Sequence, residues 1–309
     1  MARKIKPGTR AVSGILLVDK PAGETSNRTL QRIKKLYAAR KAGHTGTLDP
    51  MATGMLPICF GPATRVSGLM LESSKQYRVT ARFGTATDTG DATGSVIAES
   101  ERVEPSAAEI EATLGALRGR IEQVPPMYSA LKHQGKRLYE LARAGQEVER
   151  KPRVVEIHEL ELEQVSWPDL VLRVHCSKGT YVRSLVASLA TALGSVAHVA
   201  ELRRLMVGRF TEEQMIPVER LESAAESGFA ELDSMLLGVD AALMDRPPVA
   251  VSEADACSLV HGQRVQLAAG AVEGSVRIYA PDQRFIGLGY LSAFGELQPA
   301  RIFVAETLG

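Results

Sequence analysis

Cysteine is scarce: Cys59, Cys176 and Cys257 are the only three in 309 residues. Spaced so widely, they suggest neither a disulfide framework nor a metal-ligand spacing. No run of about 18 apolar residues occurs, which argues against a spanning helix. Net charge is nearly absent too, since 37 Lys+Arg against 36 Asp+Glu leave +1. Hydrophobic residues make up 45% and charged residues 24%, whereas disorder needs fewer apolar residues and a larger charge imbalance. The N-terminal stretch MARKIKPGTRAVSG is basic but lacks an apolar core of signal-peptide length. No internal repeat or low-complexity tract is found. The expectation is a reduced cytoplasmic protein with a buried core, in one large domain or two unequal ones.

The small net charge conceals an uneven distribution. Residues 1–41 carry eleven Lys/Arg against Asp19 and Glu24. Residues 132–153 carry seven basic side chains and three acidic ones, and residues 219–255 carry nine acids against Arg220 and Arg246. A patchy basic surface attracts polyanions whatever the net charge; a solvated surface of uneven composition is the alternative.

Hydrophobic periodicity predicts a buried strand over 13–19, then a helix capped by Thr25 or Ser26 with Leu30, Ile33 and Tyr37 on one face. Residues 76–83 alternate, with Tyr77, Val79, Ala81 and Phe83 opposite Arg78, Thr80 and Arg82, as in a half-buried strand. A short strand is predicted near 96–98 and a helix after Pro105. A strand pair around Trp167–Asp169 and a helix over 181–193, capped by Thr180, follow. The rhythm is not a strict βαβ one, so the fold class is α+β with a mixed or antiparallel sheet. Residues 124–152 form a long basic insertion with a short helix near 136–144, and such segments are more often functional than plain connections. Beyond Pro247-Pro248, short apolar runs between Gly and Asp turns predict a small all-β domain.

Two segments are candidates for chemistry. Residues 41–54, KAGHTGTLDPMATG, are too polar and Gly-rich for an ordinary helix or strand, and glycines let backbone approach a ligand. No Lys-Ser/Thr follows the second Gly, so this is not a phosphate loop. Its Asp49 suits either a reactive carboxylate or a local backbone bond before Pro50. Residues 176–185, CSKGTYVRSL, lie where a strand gives way to a helix. Arg183 there either reaches solvent or meets a carboxylate across a cleft, a pairing expected to lower that carboxylate's pKa.

Six motifs in order then carry a resemblance along nearly the whole chain. They are DKPAGETS (19–26), AGHTGTLDP (42–50), TDTGDATG (87–94), PPMYSALK (125–132), KGTYVR (178–183) and AHVAELRR (197–204). The sequence resembles the bacterial tRNA pseudouridine synthase B family, isomerases that act on uridine 55 in the T-arm of tRNA. The resemblance implies a pseudouridine synthase catalytic domain over 1–246, whose central sheet is flanked by helices. It further implies a tRNA-binding thumb over 124–152 and a PUA-like RNA-binding domain over 247–309. Pro62 and Arg65 stand where the family text carries Glu and Lys.

The same resemblance implies the site. Asp49 matches the catalytic carboxylate, Tyr77 a catalytic Tyr that stacks on the target base and assists proton removal, and Arg183 the catalytic partner of the Asp. Tyr181 and Leu202 match positions lining the uracil pocket, His44 an RNA contact, and Asp91 a pocket Asp. From the residues alone, Tyr77 also suits an ordinary core position, His44 a loop His bonded to backbone, and Asp91 a common turn residue. The reaction breaks N1–C1′, turns the uracil and joins C5 to C1′, so it needs no cofactor or metal. The expected partner is tRNA, with no membrane, no obligatory protein partner and a monomeric chain. A non-catalytic RNA-binding protein is the rival reading, which the joint presence of Asp49, Tyr77 and Arg183 disfavours. A hydrolase with an Asp nucleophile leaves the basic insertion unexplained.

Overall fold

The computed structural model describes residues 8–101, 103–268 and 273–303. The basic segment 1–7 and the end of the expected terminal domain, from 304 onward, lie outside the described residues. Strand β1 (Gly14–Lys20) is buried on both faces because alternate side chains feed two cores. Leu16 and Val18 join one cluster, Ile15 and Leu17 the other. In α1 (Ser26–Leu36) the Thr25 hydroxyl accepts from the Arg28 N–H, and Leu30, Ile33 and the C-cap Tyr37 turn inward.

Strands β2 (Ala42–His44) and β3 (Thr53–Phe60), helix α2 (Ser67–Glu72) and strand β4 (Lys75–Phe83) follow. Val79, Ala81 and Phe83 of β4 are buried while Arg78 and Arg82 are exposed, as the alternation predicts. Strands β5 (Thr85–Thr87) and β6 (Val96–Glu99) pair around the Gly-rich turn, and α3 (Ala107–Ala116) starts on a Ser106/Glu109 capping box. After β7 (Gly119–Gln123), the insertion holds a hairpin, β8 (Lys132–His133) and β9 (Lys136–Arg137), and α4 (Leu138–Arg143). The long pair β10 (Arg153–Ser166) and β11 (Asp169–Cys176) leads into α5 (Val182–Ala192), β12 (Ala197–Val207), β13 (Ile216–Pro217), α6 (Val218–Ser227) and α7 (Phe229–Ser234).

The main sheet has nine strands in the order β13-β1-β3-β12-β4-β11-β10-β7, with β2 also on β3. It is mixed: β1–β13 and β3–β12 are parallel, and neighbours such as β12–β4 and β4–β11 are antiparallel. Leu185 and Leu189 of α5 and Ile110 and Leu114 of α3 pack with Val79, Ala81, Leu172 and Val174 of the sheet. Among the described residues no helix is long and apolar enough to cross a membrane.

The terminal unit comprises β14 (Pro248–Ala250), α8 (Glu253–Val260), β15 (Val265–Gln266), β16 (Gly274–Tyr279), β17 (Phe285–Leu291) and β18 (Glu296–Ile302). Its five-stranded sheet is joined by a helix, so the all-β expectation is corrected. Ser252 accepts from the Asp255 N–H to cap α8, whose Ala256 and Leu259 fill the same core as Val276 and Ile278. Leu288 and Phe303 instead pack with Met70, Val207 and Leu243 of the larger unit. Arg65, at a position where the text departs from the family, donates to the Ile302 carbonyl at 2.7 Å and so ties the two units together.

One glycine decides how closely β3 and β12 approach beneath the Asp49 loop. Gly54 has φ +96°, and a Cβ there would stand 2.2 Å from the Arg204 carbonyl oxygen. Gly54→Ala is expected to cost about 2–4 kcal/mol, from overpacking and a strained φ together. Gly194→Ala, where φ is +69° but no atom lies within 4 Å, should cost only about 1–2 kcal/mol. Urea midpoints of the two variants measure the difference.

Candidate active site

The loop between β2 and β3 carries Asp49, and it is braced through its backbone. The Leu48 N–H donates to Ser26 Oγ at 2.8 Å, and the same hydroxyl donates to the Leu48 carbonyl at 3.1 Å. Ser26 thus pins this loop while Thr25 alone caps α1. The Pro50 carbonyl accepts from the Gly23 N–H at 2.8 Å and from Lys20 Nζ at 3.3 Å. Arg204 Nη2 donates to the Gly46 carbonyl at 2.9 Å, and its Nε to Met55 at 2.7 Å. Lys20 and Arg204 are 0% and 1% exposed, so both cations are committed to holding backbone.

Opposite stands the N-terminal turn of α5. Thr180 does not cap it; its hydroxyl donates to the Ser177 carbonyl at 3.0 Å. Tyr181 is the N-cap residue, and its N–H donates to Gln123 Oε1 at 3.0 Å. Arg183 does not reach solvent, for its side chain is 6% exposed. Its Nε lies 3.0 Å from Asp49 Oδ2 and its Nη2 3.3 Å from Oδ1. The same guanidinium donates to the Thr89 carbonyl at 2.6 Å and the Tyr128 carbonyl at 2.7 Å.

Asp49 and Arg183 line a cleft of about 300 Å3 together with Tyr77, Tyr181 and Leu202. Leu71, Lys75, Ser129 and Arg204 complete much of its wall. That volume is at the small end of ligand-sized cavities. Asp91 and His44, named with these residues from the sequence, are not among the lining residues. Asp91 Oδ1 accepts from the Thr89 and Thr93 hydroxyls and the Thr93 N–H, leaving Oδ2 at 3.8 Å from Arg183 Nη1. It supports the guanidinium from its Thr89 side. His44 sits on β2 with its Nδ1 buried and without a hydrogen-bond partner among the described residues. Burial and then the Arg204 charge lower its pKa.

Burial pushes the Asp49 carboxyl above its ordinary value; Arg183 opposes this, Asp91 adds to it and Lys20 opposes it. The expected lowering by Arg183 is therefore corrected: the pull is present, but desolvation outweighs it. Burial likewise raises the Tyr77 phenol, with Arg204 opposing. Lys75, whose ammonium donates to the Met70, Leu71 and Ser73 carbonyls, is pushed down to about 8 by burial.

Residues 34–182 match the N-terminal domain of the TruB family pseudouridylate synthases. Residues 183–244 match the tRNA pseudouridylate synthase B C-terminal domain, and residues 247–303 the C-terminal domain of pseudouridine synthase II TruB. The tRNA pseudouridine synthase B of Yersinia enterocolitica is 46% identical over 97% of this chain and 93% of its own length. That of Pseudomonas putida is 47% identical over 98% of this chain and 99% of its own. The chain belongs to the TruB family of pseudouridylate synthases. Such synthases are isomerases.

Among solved structures, a Cbf5-Nop10-Gar1 complex contains a chain that matches with a TM-score of 0.72 at 25% identity, over 98% of this chain and 88% of that one. An H/ACA RNP bound to a substrate RNA gives 0.71 at 23% identity, over 95% and 86%. The pseudouridine synthase fold is common to all of them.

Several parts of this TruB-family site escape a reading by residue type. Lys20, Lys75 and Arg204 look like surface cations in sequence, yet each is buried and holds carbonyls. Position within the DKP and ELRR motifs was the available signal for Lys20 and Arg204. Gln123, at the end of β7, had none. The charges around Asp49 can be separated by NMR titration of its carboxyl carbon. Arg183→Met removes the main opposing charge and should move the titration to higher pH. Asp91→Asn removes a like charge and should move it to lower pH. Shifts in the same direction would contradict this arrangement.

Proposed function

We propose that the chain is a tRNA pseudouridine(55) synthase, isomerising uridine 55 in the T-arm with Asp49 as catalytic carboxylate. The observation that carries the proposal is the Asp49–Arg183 pair in a cleft walled by Tyr77, Tyr181 and Leu202. The names of the bacterial relatives support tRNA as the substrate class. In this reading an everted uracil stacks on Tyr77, and Arg183 keeps the carboxylate oriented. Asp49 then acts at C1′ or C6 as nucleophile, or at C2′ as base; each route needs the ionised form. Tyr77 offers the base a stacking surface and a hydroxyl that assists proton removal. Asp91 positions Arg183, and His44 meets the RNA where the nucleotide leaves its stack.

Flipping costs a few kcal/mol, and aromatic stacking returns ~1–3 kcal/mol. Phosphate contacts supply much of the remaining affinity. The insertion over 124–152 suits this thumb-like role. Its Tyr128 carbonyl binds Arg183, while Lys132, Lys136 and Arg143 are exposed, with no ion pair among the described residues. The unit from 247 onward serves as the PUA-like RNA-binding domain.

Tritium released from [5-³H]uridine in a T-arm transcript reads the reaction directly, because C5 loses its hydrogen. Asp49→Asn should reduce the single-turnover rate by more than about 10³-fold. Equal rates would exclude the assignment. Binding of tRNA should weaken steeply with salt, and Lys132→Ala/Lys136→Ala should flatten the slope of log Kd against log salt by about one to two. An unchanged slope would remove the insertion from the RNA contact.

A further inference from the structure

The mouth of the cleft is bridged by a pair of charges that the reaction does not use. Leu71, Ser177 and Gly179 line it, on turns at the adjoining ends of β4 and β11. Glu72, which follows Leu71, and Lys178, between Ser177 and Gly179, meet there through Lys178 Nζ and a Glu72 carboxylate oxygen. The two side chains are 62% and 56% exposed.

Neither turn depends on this pair for its position. The turn that carries Glu72 is held by Lys75 Nζ, which donates to the carbonyls of Met70, Leu71 and Ser73. The turn that carries Lys178 is held by the Ser177 N–H donating to the Glu156 carbonyl at 2.8 Å. The Glu156 N–H in turn donates to Ser177 Oγ at 2.9 Å. Two exposed side chains therefore link two fixed turns at the edge of the cleft. A pair this exposed adds little to stability, and a phosphate can replace the carboxylate on the ammonium at small cost.

We infer that Lys178 is a phosphate-binding residue at the cleft mouth and that Glu72 occupies it in the free protein as a displaceable stand-in. The ligand is a phosphodiester of the RNA next to the everted nucleotide, so the inference rests on the proposed RNA-modifying function. Entry of the nucleotide breaks the Glu72–Lys178 pair, and Lys178 passes to the phosphate. Glu72 acts only by occupying Lys178, and the need to break that pair weakens RNA binding at this mouth.

Fluorescence anisotropy with a T-arm hairpin RNA over a range of salt tests this, using wild type, Glu72→Gln, Lys178→Met and the double variant. Glu72→Gln should tighten binding about 3- to 10-fold. Lys178→Met should weaken binding and flatten the slope of log Kd against log salt by about 0.7–0.9. The double variant should behave as Lys178→Met does. If Glu72→Gln binds no more tightly than wild type, or Lys178→Met keeps the full slope, the inference is overturned. Pseudouridine formation by wild type on the same hairpin is the separate check. Its absence would sink the catalytic reading while leaving the binding result to decide the role of the cleft mouth.

Discussion

A single guanidinium holds the site together. Arg183 is the second residue of α5, where the helix dipole disfavours a cation and where no acidic residue stands in the first turn. Buried there, it is tolerable only if carboxylates and carbonyls surround it. They come from three distant parts of the chain: Asp49, the Thr89–Asp91 turn and Tyr128. The requirement runs both ways. Asp49 is desolvated enough for its pKa to rise, so its anion needs the cation as much as the cation needs it. The packing of the Asp49 loop, the Gly-rich turn and the insertion is thus one electrostatic problem with one solution.

The loop itself shows how such a carboxylate is kept in place. Ser26, Lys20, Gly23 and Arg204 bind the backbone of Gly46, Leu48 and Pro50, on both sides of Asp49. None of these bonds uses the Asp49 carboxylate, so its oxygens remain for Arg183 and for a substrate. A reactive group fixed through its backbone loses little orientation when a substrate arrives, the condition under which a positioned carboxylate is most effective. Lys20 and Arg204 serve here because a buried carbonyl must be paired and a long cationic side chain can reach one from a neighbouring strand.

The degree to which sequence revealed all this follows from the range of each interaction. The alternation in β4, the stripe on α1 and the start of α3 after Pro105 are local patterns, and they read correctly because period and helix-start signals are set within a few residues. Asp49, Tyr77, Arg183, Tyr181 and Leu202 were named together from ordered motifs, and they line one cleft. Asp91 and His44 came from the same motifs but are not among its lining residues, since a motif gives proximity without the direction of a side chain. Helix α8 was missed because eight residues between turns are too few to display a helical period, although Ser252 and Asp255 mark its start. Buried Lys20, Lys75 and Arg204 ran against the expectation that cations stay outside.

Charge gives the sharpest example of a pattern that changes meaning in space. By count, residues 1–41 are the most basic stretch, yet Arg10 is paired with Asp233 and Arg32 with Glu222 and Glu24, while Lys20 is buried. The acids of α6 and α7, read as a separate acidic region, neutralise part of the N-terminal excess. The insertion keeps its charge, for Lys132, Lys136 and Arg143 face solvent without carboxylate partners among the described residues. The same segment supplies the Tyr128 carbonyl to Arg183 and Ser129 to the cleft wall. Long-range attraction and the Asp49–Arg183 pair are therefore joined through one stretch of backbone. An anion drawn to the insertion is brought to the side of the molecule where Asp49 waits, so the uneven charge acts by location rather than by sum.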